Sequence, residues 1–177
     1  MEYRLLHHWN YALADSEHRI LESAIALTEQ KRDNSYFSHV ADFIAQHTQV
    51  QYVLIGDLSQ DGLHVETKAF VLNGKKQANF RYPLPHTPCD NVITQRFCYY
   101  PDNVQRLFPL DIELQELNIE SYLGSIFVDE NNEPVGLIAL MSDTELKNAA
   151  FAEHLVLVLS PSIEEELIRI RNNPSAA

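Results

Sequence analysis

SYLGSIFVDENNEPVGLIALM, residues 121–141, decides how the chain is read. SYLGSIFVD and PVGLIALM are β-rich apolar runs, and ENNEP between them has the composition of a turn. Upstream, QYVLIGDL (51–58) and GLHVETKAFVL (62–72) share that texture, with SQDG as a hairpin-type turn between them. NGKK (73–76) is a second turn and leads into a third strand within ANFRYPL (78–84). There Phe80, Tyr82 and Leu84 alternate against Asn79, Arg81 and Pro83.

Helical spacing governs both ends. In DSEHRILESAIALTEQKR (15–32), Ile20, Leu21, Ala24, Ile25 and Thr28 share one face, and Asp15 or Ser16 is placed to cap it. A second helix, YFSHVADFIAQHT (36–48), points Phe37, Val40, Ala41 and Ile44 one way, with Ser35 as its expected cap. His39 and His47 are expected on its exposed side. A long helix closes the chain from about Glu145 to Arg171, and Pro161 should kink or restart it. Residues 85–118 show no strand pattern and hold short helices, CDNVITQRF and LDIELQELN, the latter with Ile112, Leu114 and Leu117 as its apolar positions. The expected architecture is α+β: a central antiparallel sheet of about five to six strands, terminal helices on one face, and the 85–118 excursion inserted between two strands. Such an insertion commonly serves as a lid or binding wall.

Bulk composition narrows the function classes. The chain has 177 residues, 45% hydrophobic and 21% charged, an ordinary globular balance. Its 25 acidic and 13 basic residues give a formal charge of -12, a field that repels nucleic acid and anionic membrane surfaces. Lys75 and Lys76 are too small a cluster to reverse that. No apolar run is long enough to cross a bilayer, and MEYRLLHHWNYAL lacks the apolar core of a signal peptide. Two cysteines, Cys89 and Cys98, do not make a secreted disulfide framework, so a cytoplasmic chain with reduced thiols is expected.

Three pieces in order carry a family resemblance: YPLPHTPCDNV (82–92), YYPDNVQRLFPLDIELQEL (99–117) and the opening stretch. Together they closely resemble a GAF domain of the subtype found in bacterial sensory proteins ahead of histidine kinase or cyclic-di-GMP output modules. The match covers residues 15–171, leaving 1–14 as a lead-in and 172–177 as a tail. The resemblance implies a sheet with a small-molecule pocket on the face opposite the terminal helices, roofed by the excursion. Related pockets accept cyclic nucleotides, haem, bilins, amino or keto acids, or nothing known, so the ligand and any cofactor stay unspecified. The implied ligand-facing positions are Tyr82, Leu84, His86, Thr87, Pro88, Cys89, Asp90, Tyr100, Asp111, Leu114, Ser121, Tyr122 and Gly124. One departure stands out: the position before the threonine is commonly glycine in this subtype and is His86 here. Either the backbone differs, or the imidazole faces the pocket.

Each chemical motif has a competing structural reading. Thr87, Pro88 and Asp90 suit a capped helix start resembling a capping box, which is either a cap alone or a seat for a ligand's anionic end. Cys89 in that first turn is read as buried and inert, and Cys98 as packing. No Cys-His dipeptide is present, which argues against a bilin photoreceptor. Glu113 and Glu116 are assigned to the solvated face of their short helix. Asp111 either caps that helix or points a carboxylate at the pocket, and Tyr82, Tyr100 and Tyr122 either line the cavity or fill core. His7 and His8 lack partners at ligand spacing, so no metal site is expected, although His86 or His64 remains open as a haem ligand.

The expected role is a non-catalytic sensor that binds a small molecule and signals through terminal helices paired in a homodimer. Ile20, Ile25, Leu167 and Ile170 either form that seam or cover the protomer's own sheet. The alternatives are a ligand-free dimerisation module and a free methionine sulfoxide reductase-like enzyme. RNNPSAA carries no output module, so the chain is either a stand-alone sensor or part of a longer one.

Overall fold

A computed structural model describes residues 11–30 and 32–173. His7 and His8 lie outside them, as does most of the lead-in and the tail. The sheet is built from β1 (Tyr52–Leu58), β2 (His64–Leu72), β3 (Lys75–Lys76), β4 (Arg81–Pro83), β5 (Phe97–Tyr100), β6 (Ser121–Val128) and β7 (Pro134–Ser142). The spatial order is β3-β2-β1-β7-β6-β5, with β4 also paired to β2, and every pairing is antiparallel. The α+β architecture is therefore the one expected. The β2–β3 turn uses Asn73 and Gly74, both at positive φ (49° and 69°), a conformation whose twist matches the flanking strands. In the β6–β7 hairpin, the Asp129 carboxylate accepts from the Asn131 and Glu133 N–H groups, each at 2.9 Å.

The excursion differs from expectation in containing a strand. Phe97–Tyr100 pairs with β6 from Phe97↔Ser125 to Tyr100↔Tyr122, and all four residues are buried. FCYY lacks the alternation of a half-buried strand because both of its faces are covered. Arg96, at φ 73°, turns the preceding helix straight into it and leaves no loop to mark the boundary.

On one face lie α1 (Asp15–Thr28), α2 (Tyr36–Thr48) and α6 (Ala149–Asn172). The buried side of α2 includes Phe37, Val40, Ala41 and Ile44, as its periodicity requires, while His39 is exposed and His47 is half-buried against Phe43. The caps differ from expectation. Ala14 occupies the α1 cap, and its N–H is taken by the Glu17 carboxylate at 2.7 Å. Ser35 makes no side-chain cap; instead the Asp33 carboxylate accepts from its N–H at 2.8 Å. α6 starts at Ala149, later than expected, because Asn148 caps it by accepting from Phe151 N–H at 3.1 Å. The helix runs unbroken through Pro161. That proline and Leu157, whose carbonyl loses its partner, both lie on the exposed side of the helix.

The opposite face carries α3 (Pro88–Gln95), α4 (Val104–Leu107) and α5 (Ile112–Glu116). In α5 only Leu114 of the expected apolar positions is buried, and Ile112 is 62% exposed. A five-residue helix offers one inward position, and Leu114 takes it. Strand alternation separates two cores. Ile138 and Leu140 of β7 join the helix layer, and Leu137, Ala139 and Met141 join the roof. Leu167 is fully buried in the helix-side core, with Ile20 and Ile170 partly buried against it, so of the four candidate seam residues only Ile25 is exposed.

Candidate functional site

The roof does not fill the space beneath it. A cavity of about 160 Å³ lies between the sheet and the α3–α5 segment. Its floor is Leu54 of β1, Phe70 of β2, Tyr122 of β6, and Ala139 and Met141 of β7. Tyr82 and Pro83 of β4, Pro85, and the start of α3 form one wall, while Asp111, Glu113, Leu114, Leu117 and Ile119 form the roof side. Phe80 and Leu110 stand at the rim, exposed by 39% and 67%. An apolar void of this size is enough for one benzene-sized group.

At the start of α3, Thr87 is the N-cap. Its hydroxyl accepts from Asp90 N–H at 3.4 Å and donates to the Leu84 carbonyl at 2.7 Å. The reciprocal half of a capping box is missing, because Thr87 N–H binds the Leu84 carbonyl at 3.1 Å and Asp90 is exposed. Pro88 has no N–H to offer, and that of Asp90 is already used, so this helix start presents little to an anion.

Cys89 lies between two phenols. The Tyr82 hydroxyl donates to its sulfur at 3.2 Å, and the Tyr122 hydroxyl lies at 3.2 Å, where either atom is the donor. Burial pushes the thiol up to about 11 and both phenols well above their ordinary range. Burial therefore holds the trio in its neutral form and disfavours the thiolate. Neither Cys89 nor Cys98 is in a disulfide, and both are buried.

Asp111 does both things its position allows. One carboxylate oxygen caps α5, accepting from Leu114 N–H at 3.3 Å, and the residue is also among those lining the cavity. It is 8% exposed, and burial raises its carboxyl to about 6.

Of the thirteen positions drawn from the resemblance, Tyr82, Thr87, Pro88, Cys89, Asp111, Leu114 and Tyr122 line the cavity. Leu84, His86, Asp90, Tyr100, Ser121 and Gly124 do not. Leu84 is core behind the wall, and Ser121 donates to the Thr144 carbonyl at 2.5 Å. Tyr100 is buried beside Phe108, and its hydroxyl accepts from Asn91 at 2.8 Å. Gly124 sits under α3, where a Cβ would lie 2.5 Å from Val92 Cγ2 and 2.6 Å from the Tyr122 hydroxyl. His86 keeps the positive φ (72°) that glycine would supply, and its side chain is exposed rather than in the cavity. His64, on β2, does not line it either.

Glu113 and Glu116 are exposed, as expected, and Glu113 also borders the cavity; the floor residues Leu54, Phe70, Ala139 and Met141 are ones that sequence reading misses. Strand alternation is the signal that finds the floor: Tyr122 and Gly124 fix the inward parity of β6, and pairing carries it to β7 through Tyr122↔Met141 and Gly124↔Ala139.

No family model and no curated protein matches the chain. Solved structures do. The GAF domain from an Acinetobacter phosphoenolpyruvate-protein phosphotransferase is similar at TM-score 0.70 and 9% identity, over 92% of this chain and 99% of that one. The chromophore-binding domain of an R. palustris bacteriophytochrome is similar at TM-score 0.65 and 15% identity, over 86% of this chain and 63% of that one. Free methionine-R-sulfoxide reductase from Neisseria meningitidis, solved with its substrate, is similar at TM-score 0.67 and 12% identity, over 88% of this chain and 96% of that one. At these identities the likeness carries the fold, and the fold is that of GAF domains.

Proposed function

On the premise of a GAF fold, we propose that this chain is a regulatory domain of bacterial signal transduction that binds a small molecule beneath its roof. The observation that carries this reading is the roofed cavity of about 160 Å³, lined among others by Asp111 at the cap of α5, Tyr82 of β4 and Tyr122 of β6. A degenerate domain serving only for dimerisation would be expected to fill that space with side chains. Ala139, the smallest floor residue, keeps it open. The ligand acts by differential affinity for two arrangements of roof and sheet, and the sheet passes the difference to α1 and α6 on its other face. Those helices then report to a second copy and to a kinase or cyclic-di-GMP output module. Catalysis of the sulfoxide reductase kind needs a reactive thiol, and the buried, neutral Cys89 does not support it.

The test is native mass spectrometry of the chain purified from its own host. A co-purifying small molecule that is absent from the Ala139→Leu variant is the expected result. A ligand-free protein whose thermal stability is unmoved by a metabolite library would end the proposal.

A further inference from the structure

The charge of the cavity wall is one-sided. Among the described residues lining it, Asp111 and Glu113 are acids and none is Lys, Arg or His. Asp111 is the N-cap of α5 and Glu113 lies in its first turn; Asp111 is 8% exposed, while Glu113 is open to solvent. Aromatic rings also line the cavity. Phe80 packs edge-on to Phe70 at 5.2 Å and lies 5.7 Å from Tyr82. Beyond them the cavity is hydrocarbon, from Leu54, Leu114, Ile119 and Met141.

We propose that the cavity selects a small organic cation, a primary amine on an apolar body of about one ring. Its ammonium meets Asp111 and Glu113, and its body lies on the hydrocarbon floor. This rests on the ligand-sensing reading and narrows it to a charge class. A carboxylate shielded from water is costly unless a counter-charge reaches it, and an ammonium supplies both the charge and hydrogen-bond donors. Aromatic faces near the rim add cation–π attraction. The net charge of -12 draws cations toward the mouth and repels anions. The α3 start, where an anion would have to sit, has spent its Asp90 N–H on Thr87 and has a proline at its first position. A metal ion is a poorer fit, since no group of three or more His, Cys, Asp or Glu side chains comes together among the described residues.

Three one-ring probes of similar size separate the possibilities: benzylamine, benzyl alcohol and benzoate, each read by thermal unfolding and calorimetry of the full chain at pH 7.5. Benzylamine should raise Tm, with benzoate inert and benzyl alcohol at least about tenfold weaker, the discrimination a charge-assisted pair gives. Asp111→Asn, which still caps α5, should remove the benzylamine shift, and Glu113→Gln, at an exposed position, should weaken it several-fold. Benzyl alcohol or benzoate binding as well as benzylamine overturns the charge assignment and leaves ligand sensing intact. If none of the three binds, the co-purified molecule decides: an amine supports the assignment, a neutral or acidic molecule overturns it. No co-purified molecule, together with no thermal shift from a metabolite library, ends both readings.

Discussion

Asp111 is the residue at which stability and recognition oppose each other. Burial raises its carboxyl from the ordinary 3.8 to about 6, and the groups facing it are Glu113 on its own helix, Cys89 on α3 and Tyr82 on β4. The thiol and phenol stay neutral in acid, so the slope belongs to the carboxyls. A raised pKa means that the protonated form is favoured in the folded chain. Its stabilising contribution is full below about pH 3.8 and is lost as pH rises through about 6. Asp111→Asn should flatten the stability profile across that window, as checked by urea midpoints at half-unit steps; an unchanged slope would contradict the assignment. Much at this scale was legible. Thr87 as a cap and Cys89 as a buried thiol follow from TPCD, because local hydrogen bonding and packing preference decide them. The exposure of Ile112 and Leu117 was not legible, because five helical residues have too little periodicity to assign a face.

At the scale of elements, α3 and β6 fit only because position 124 has no side chain. An added Cβ would meet Val92 Cγ2 and the Tyr122 ring inside contact distance, so Gly124→Ala should cost about 1–3 kcal/mol through overpacking. Denaturant titration should show a lower midpoint at unchanged slope. The penalty should shrink in a Val92→Ala background, the signature of a shared contact. The helices and the long strands were readable from their periods. β5 was not, since FCYY is buried on both faces and follows α3 without a loop. The caps of α1 and α2 went astray for a related reason: Glu17 and Asp33 satisfy the backbone from neighbouring positions, which composition alone does not distinguish from a serine cap.

At the scale of the whole molecule, the helix layer is fastened to the sheet at its far end. Arg171 of α6 donates to the Asp57 carboxylate at 2.8 Å, to the Val135 carbonyl at 2.6 Å and to the Leu58 carbonyl. With Leu167 committed to the core, the large apolar side chains that α1 and α6 leave exposed are Ile25 (51%) and Leu157 (53%). If pairing runs through these helices, Ile25→Asp with Leu157→Asp should halve the mass seen by sedimentation while leaving the circular dichroism spectrum intact. An unchanged mass would place the seam elsewhere. The overall architecture was legible because order and alternation specify it; the cavity was not, because its volume depends on Ala139 meeting Leu114 and Tyr122 across three separate segments. The alternation along β7 has a further consequence. Leu137, Ala139 and Met141 face one core, while Ile138 and Leu140 face the other. Adjacent codons thus answer to different requirements, so substitutions at one parity can change what the chain recognises while the other parity preserves what it is joined to.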